Sequence, residues 1–165
     1  MEPGIAQQFG VVAAMAVAML LGGAIGYERE LKQRPAGFRT HMLVAGASAL
    51  LVGVGQLAVD AQTGGAAGAG VLRVDPLRLV EAVIAGVAFI GAGTIFSVGR
   101  RGGGTIAGIT TAASLLVVAV IGVATGLRYY FTAAVATALA LFVLVALSWW
   151  ERRLPSTPPA GEDPG

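Results

Sequence analysis

PGIAQQFGVVAAMAVAMLLGGAIGY, residues 3–27, contains no Asp, Glu, Lys or Arg. Wound as a helix at about 1.5 Å per residue, such a run exceeds the roughly 30 Å hydrocarbon core of a bilayer. Four further stretches are free of those residues: 42–59, 82–99, 102–127 and 129–150. The third helix is expected to begin earlier, at Asp75-Pro76, because Asp is a good N-cap and Pro is tolerated at the first helical position. The expected fold is therefore all-α, a polytopic membrane bundle of about five transmembrane helices.

Composition agrees. The chain is 56% apolar and only 12% charged, with 25 glycines in 165 residues. A soluble domain of this size needs more charge on its surface, whereas glycine is frequent in membrane helices because it lets backbones approach. Cysteine is absent, which excludes disulfides and thiolate metal sites. Glu2, and no basic residue, precedes the first apolar run, so the reading is a retained span rather than a cleaved signal peptide.

Basic residues predict the orientation. Arg29, Lys32, Arg34 and Arg39 follow the first span, Arg100 and Arg101 the third, and Arg152 and Arg153 the fifth. That places eight on one side, against three (Arg73, Arg78 and Arg128) on the other. The expectation is N-terminus out and C-terminus in, with Trp149 and Trp150 as an interfacial anchor. Residues 1–153 read as one transmembrane domain. The stretch 154–165 reads as a disordered polar tail, and 60–70 as a flexible loop.

Small-xxx-small pairs occur at Gly22/Gly26, Gly104/Gly108 and Gly122/Gly126, and Gly86, Gly91 and Gly93 lie in the third span. They are candidates for helix packing inside one bundle, or for a groove or homodimer seam on its surface.

Polar residues in a bilayer are costly and need a partner or a task. Glu28, Arg29 and Glu30 close the first span, and Arg39 and Thr40 lead into the second, with Thr40 a candidate N-cap. They read either as a solvated loop that sets topology or as a vestibule in which Glu28 pairs with Arg39. Asp75, Arg78 and Glu81 have helical spacing for mutual ion pairs. Glu81 is singled out as the acid followed directly by an apolar span. Thr110 and Thr111, with Ser114, open the fourth span and offer either local hydrogen bonds or a polar lining facing Glu81. Mg²⁺ takes one or two carboxylates and keeps several waters, so the Glu81 carboxylate suits either such a cation or a proton relay. His41 is the one histidine, too few for a zinc site. No phosphate-binding loop or catalytic triad is legible, and no enzyme is expected. Nucleic acid is not an expected partner.

Three ordered stretches resemble the signatures of the MgtC/SapB membrane proteins. They are Gly22-Gly-Ala-Ile-Gly-Tyr-Glu-Arg-Glu30 with Pro35-Ala-Gly-Phe-Arg-Thr-His-Met-Leu-Val44; Asp75-Pro76 and Arg78 with Gly86-Val-Ala-Phe-Ile-Gly-Ala-Gly-Thr-Ile95; and Gly108-Ile-Thr-Thr-Ala-Ala-Ser114 with Ala119-Val-Ile-Gly122. The resemblance implies a five-span protein of the bacterial inner (plasma) membrane linked to magnesium homeostasis. Members have been proposed both as Mg²⁺ transporters and as regulators that bind the membrane sector of the F-type ATP synthase. It also implies a correspondence to the membrane domain alone, without the ACT-like soluble domain that follows the spans in some members. The working expectation is Mg²⁺ homeostasis, extending to Mg²⁺ transport, with Mg²⁺ the one ion considered as a ligand and Glu81, Asp75 and Glu28 its candidate metal ligands. The alternatives are a non-transporting regulator that binds another membrane complex through glycine-rich helix faces, and a homodimeric scaffold.

Overall fold

The computed structural model describes residues 4–63, 75–98 and 105–151. Among them run five helices, α1 (Ile5–Leu31), α2 (Phe38–Thr63), α3 (Pro76–Gly93), α4 (Ile109–Gly126) and α5 (Tyr130–Glu151). A short antiparallel hairpin, β1 (Phe96–Val98) with β2 (Thr105–Ala107), joins α3 to α4 and pairs Phe96 with Ala107 and Val98 with Thr105. By length and composition α1, α2 up to Ala61, and α4 can each cross a membrane. The chain is a multi-pass membrane protein. The expected tail at 154–165, and most of the loop expected at 60–70, lie outside the described residues, as do the side chains of Trp149 and Trp150.

Helix ends follow local chemistry. The Gly4 N–H donates to Gln7 Oε1 at 3.0 Å and opens α1. At its other end the Arg34 N–H reaches Arg29 O and the Gln33 N–H reaches Glu30 O, the paired bonds of a Schellman closure. Gln33 takes the left-handed conformation (φ 51°) that this closure needs. The end of α4 repeats the device, with Arg128 at φ 68° and the Tyr129 N–H on Ala124 O. Asp75 caps α3 as its Asp-Pro sequence predicts, accepting from the Leu77 N–H at 2.9 Å.

The core forms where α1, α2 and α4 meet. Its buried positions are mostly small: Ala14, Ala18 and Gly22 on α1, Ala45 and Ala49 on α2, and Ala119 and Gly122 on α4. Ala45 is met by Gly22 from one side and Gly122 from the other. A Cβ at Gly22 would lie 2.7 Å from both Ala45 Cβ and His41 O, and one at Gly122 would collide with Ala45 O. Gly26 lies as tightly against His41 and Phe38, and Gly126 against Ala49 and Val52. Such contacts supply what the hydrophobic effect cannot supply between helices in lipid. Gly122 and Gly126 thus face the bundle interior. Helix α3 is peripheral: Val83, Val87 and Gly91 are buried, whereas Gly86 and Gly93 have nothing within 4 Å of a Cβ position.

Two expectations are corrected. The third and fourth helices do not extend through 82–99 and 102–127. Helix α3 stops at Gly93, where Thr94 Oγ1 donates to Gly91 O at 2.7 Å, and α4 starts after Gly108, at φ 94°. The reason is steric: Gly108 adopts a backbone that side chains disfavour, and a Cβ there would strike the Thr94 carbonyl. Nor is Thr40 the N-cap of α2. The helix begins at Phe38, whose N–H donates to Glu30 Oε2 at 2.8 Å. That carboxylate, arriving from α1 across the turn, fills the capping role and leaves Thr40 inside the first turn.

Candidate functional site

Polar side chains gather where α1 ends, α2 and α4 begin and α5 ends. Glu28 and Arg29 close the glycine-rich face of α1 and are 8% and 3% exposed. Arg29 Nε donates to Glu28 Oε2 at 2.5 Å. Lys32, one turn on, places Nζ 2.5 Å from Glu28 Oε1 as an ion pair without hydrogen-bond alignment, which is why Oε1 has no aligned donor. The same Nζ donates to Leu144 O of α5 at 2.9 Å. One carboxylate thus lies between two cations, and the cluster ties α1 to α5.

Next to it, His41 is fully buried. Its Nδ1 lies 2.9 Å from Gly37 O and its Nε2 3.0 Å from Ser114 Oγ. A carbonyl can only accept, so the Nδ1 proton points at Gly37 and a neutral ring offers Nε2 as acceptor. Ser114 is then claimed twice, because its hydroxyl also lies 2.8 Å from Thr111 O. This link pins the start of α2 to the start of α4.

The sequence candidates separate into three groups. Glu28, Arg29 and Glu30 belong to this end of the bundle, with Glu30 engaged as the α2 cap. Thr111 is buried beside Ser114, whereas Thr110 is exposed and Thr40 half-buried. Arg39 is exposed and does not pair with Glu28, whose partners come from its own helix because they lie on the adjacent position and one turn away. Asp75, Arg78 and Glu81 belong to the opposite end of α3. Asp75 is occupied in capping, and Arg78 and Glu81 are exposed and form no ion pair with each other.

Ser114 therefore faces His41 and not Glu81. Leu79 abuts Gly55, and Ala82 and Val83 share a groove with Leu51, so Glu81 is level with that part of α2. Glu28 is level with the residues just before Phe38. About fifteen residues of α2 lie between, roughly 22 Å of helix. Among the described residues no three His, Cys, Asp or Glu come together as a metal site. The α2–α3 groove, about 390 Å³, is lined by Leu43, Val44, Leu51, Val83, Val87 and Ile90. The hydroxyl of Ser48 borders it but donates back to Val44 O.

The sequence offers Ser114 as a hydrogen-bonding group of the fourth span and His41 as a lone histidine, but neither their pairing nor the reach of Lys32 to α5 is among its expectations. The signal for the first two is positional. His41 precedes Ala45, Ala49 and Val52 at helical spacing, so it continues the buried small-residue face of α2.

The model of the MgtC family matches residues 15–153. An uncharacterized protein of Haemophilus influenzae is 37% identical over 131 residues, which cover 79% of this chain and 52% of that protein. Protein SapB of Bacillus subtilis is 35% identical over 147 residues, 87% of this chain and 59% of the relative. Protein MgtC of Brucella abortus is 37% identical over 132 residues, 79% and 48% respectively. The chain spans about half the length of these curated relatives. No solved structure matches it.

Proposed function

The chain belongs to the MgtC family, and from that premise we propose that it is a magnesium-linked protein of the bacterial inner membrane that acts by binding other membrane proteins and not by conducting Mg²⁺. In this reading all five helices cross the bilayer, with the N-terminus outside and the C-terminus in the cytoplasm, as the placement of basic residues favours. The Glu28 end then faces the cytoplasm.

The observation that carries the reading is the state of Glu28. It is the buried carboxylate of the candidate set, and Arg29 and Lys32 lie against both its oxygens. One negative and two positive charges leave a net positive cluster, which repels a divalent cation. Mg²⁺ gives up water reluctantly and needs carboxylates held free for it. The other acids support the same view: Asp75 caps a helix, and Glu81 is exposed on α3 instead of facing the bundle interior. The apolar α2–α3 groove offers a cation no ligand.

The test is reconstitution of the full chain in liposomes loaded with a Mg²⁺-sensitive dye, beside a low-Mg²⁺ growth assay in cells. The expected result is growth support together with Mg²⁺ entry no faster than in protein-free vesicles. Saturable entry through folded, inserted protein, abolished by Glu81→Gln, would overturn the proposal in favour of transport.

A further inference from the structure

His41 is the one histidine of the chain, it is fully buried, and the function proposed above makes no use of it. Its surroundings can be counted in protons. Three contacts of hydrogen-bond length lie in a row: Gly37 O to Nδ1 at 2.9 Å, Nε2 to Ser114 Oγ at 3.0 Å, and Ser114 Oγ to Thr111 O at 2.8 Å. Each needs one proton between its two atoms. A neutral imidazole carries one N–H and a serine one O–H, which makes two protons for three contacts. With the Nδ1 proton held by Gly37, the Ser114 hydroxyl serves either Nε2 or Thr111 O, and the contact it leaves brings two lone pairs together. An imidazolium supplies the missing proton. Its Nε2–H donates to Ser114 Oγ, the hydroxyl donates to Thr111 O, and all three contacts are made.

The neighbouring groups decide when that happens. Burial takes water from a charged ring, which costs energy. Charge-assisted bonds to Gly37 O and Ser114 Oγ offset that cost. From α1, the Glu28 carboxylate favours a charge on the ring and the Arg29 guanidinium opposes it. Lys32 lies against Glu28, and Glu30 is engaged at the Phe38 N–H. On α2 itself, Arg39 is exposed. Helix α4 has no ionisable residue, and α5 has none between Phe131 and Trp150. His41 is the fourth residue of α2, one turn in from the exposed residues Gln33, Arg34 and Pro35, so the Gln33 end of the bundle is the near source of a proton.

We propose that His41 is a proton-binding switch between α2 and α4. The ring is neutral at rest and takes up a proton when the Gln33 side acidifies. Ser114 then changes from donor towards Nε2 to acceptor from it, and its hydroxyl closes on Thr111 O. Both α4 residues lie in the first two turns of that helix, so the charge on one ring is passed to the packing of α2 on α4. Calling the Gln33 side cytoplasmic rests on the orientation proposed above; the switch itself does not.

A single histidine makes the test direct. The full chain, without a histidine tag, is isotope-labelled at its imidazole nitrogens, placed in liposomes and followed by NMR from about pH 8 to about pH 5, the range in which histidine switches work. The expected result is a proton on Nδ1 alone at the upper end and on both nitrogens at the lower end. Ser114 makes two bonds in the charged state and one in the neutral state. Ser114→Ala should therefore move the midpoint down by about one pH unit, a tenfold loss of proton affinity. Ser114→Thr keeps the hydroxyl and should keep the midpoint. Ser114→Cys, with a weaker acceptor, should shift it in the same direction as Ser114→Ala. The Nδ1 proton at the upper pH also reports folding, because Gly37 O holds it in every folded variant; if Ser114→Ala shows mixed tautomers, Ser114→Cys replaces it. A ring that stays neutral throughout, a wild-type proton on Nε2 at the upper pH, or a midpoint unmoved by loss of the hydroxyl would each overturn the proposal. The ring is read without magnesium or growth, so its failure is distinguishable from Mg²⁺ entry in liposomes.

Discussion

At the scale of single residues, Arg29 is a buried cation, 3% exposed and held by Glu28. Removing one member of a buried ion pair strands the other, at a cost of about 3 kcal/mol, whereas replacing both by apolar groups is often neutral. Glu28→Leu should therefore lower unfolding stability by about 3 kcal/mol, and Glu28→Leu with Arg29→Leu should recover most of it. Unfolding in mixed micelles with rising SDS measures both. A loss below about 1 kcal/mol for the single variant would show that Arg29 reaches water unaided. The chemistry at this scale was legible in part. Charges clustered after an apolar run announce the end of a helix, as Glu28 to Glu30 do. Which partners they choose was not legible, because Lys32 finds Leu144 on the last helix, a contact between residues far apart in the chain. The role of His41 is hidden in the sequence for the same reason: its second partner, Ser114, comes from another helix.

At the scale of elements, glycines divide by what they face. Gly122 lies against the Ala45 carbonyl, a backbone atom that cannot swing away, whereas a Cβ at Gly86 meets open space. Gly122→Ala should force α4 off α2 and destabilise by about 1–3 kcal/mol, as overpacking does. Gly86→Ala should be neutral or stabilise by up to about 1 kcal/mol, since Ala is the better helix former. The same SDS titration ranks the two, and a reversed order would contradict the packing. Helix existence was readable from the uncharged runs, and the start of α3 from Asp75-Pro76. The ends facing the hairpin were not, since residues 94–99 and 102–108 are as free of charge as the spans beside them and hydropathy cannot separate strand from helix there. The left-handed backbone of Gly108 and the Thr94 hydroxyl, both local geometry, set those limits.

At the scale of the whole molecule, alternate helix directions bring Gly4 and Arg128 to one end of the bundle and Gln33 to the other. Under the proposed orientation, single cysteines at Gly4 and at Tyr129 should react with an impermeant maleimide added outside intact cells whose outer membrane has been permeabilised. A cysteine at Gln33 should react only after the inner membrane is opened, and the opposite pattern would invert the topology. The cap that Glu30 places on Phe38 also bears on assembly. With Gly22 against Ala45 and Gly26 against His41, it completes the α1–α2 hairpin from residues that are all translated before α3. The nascent chain can therefore leave the translocon as a finished antiparallel pair, one face already shaped to receive α4. The order of synthesis then matches the order in which the core closes, and peripheral α3 is left at the rim as α4 docks.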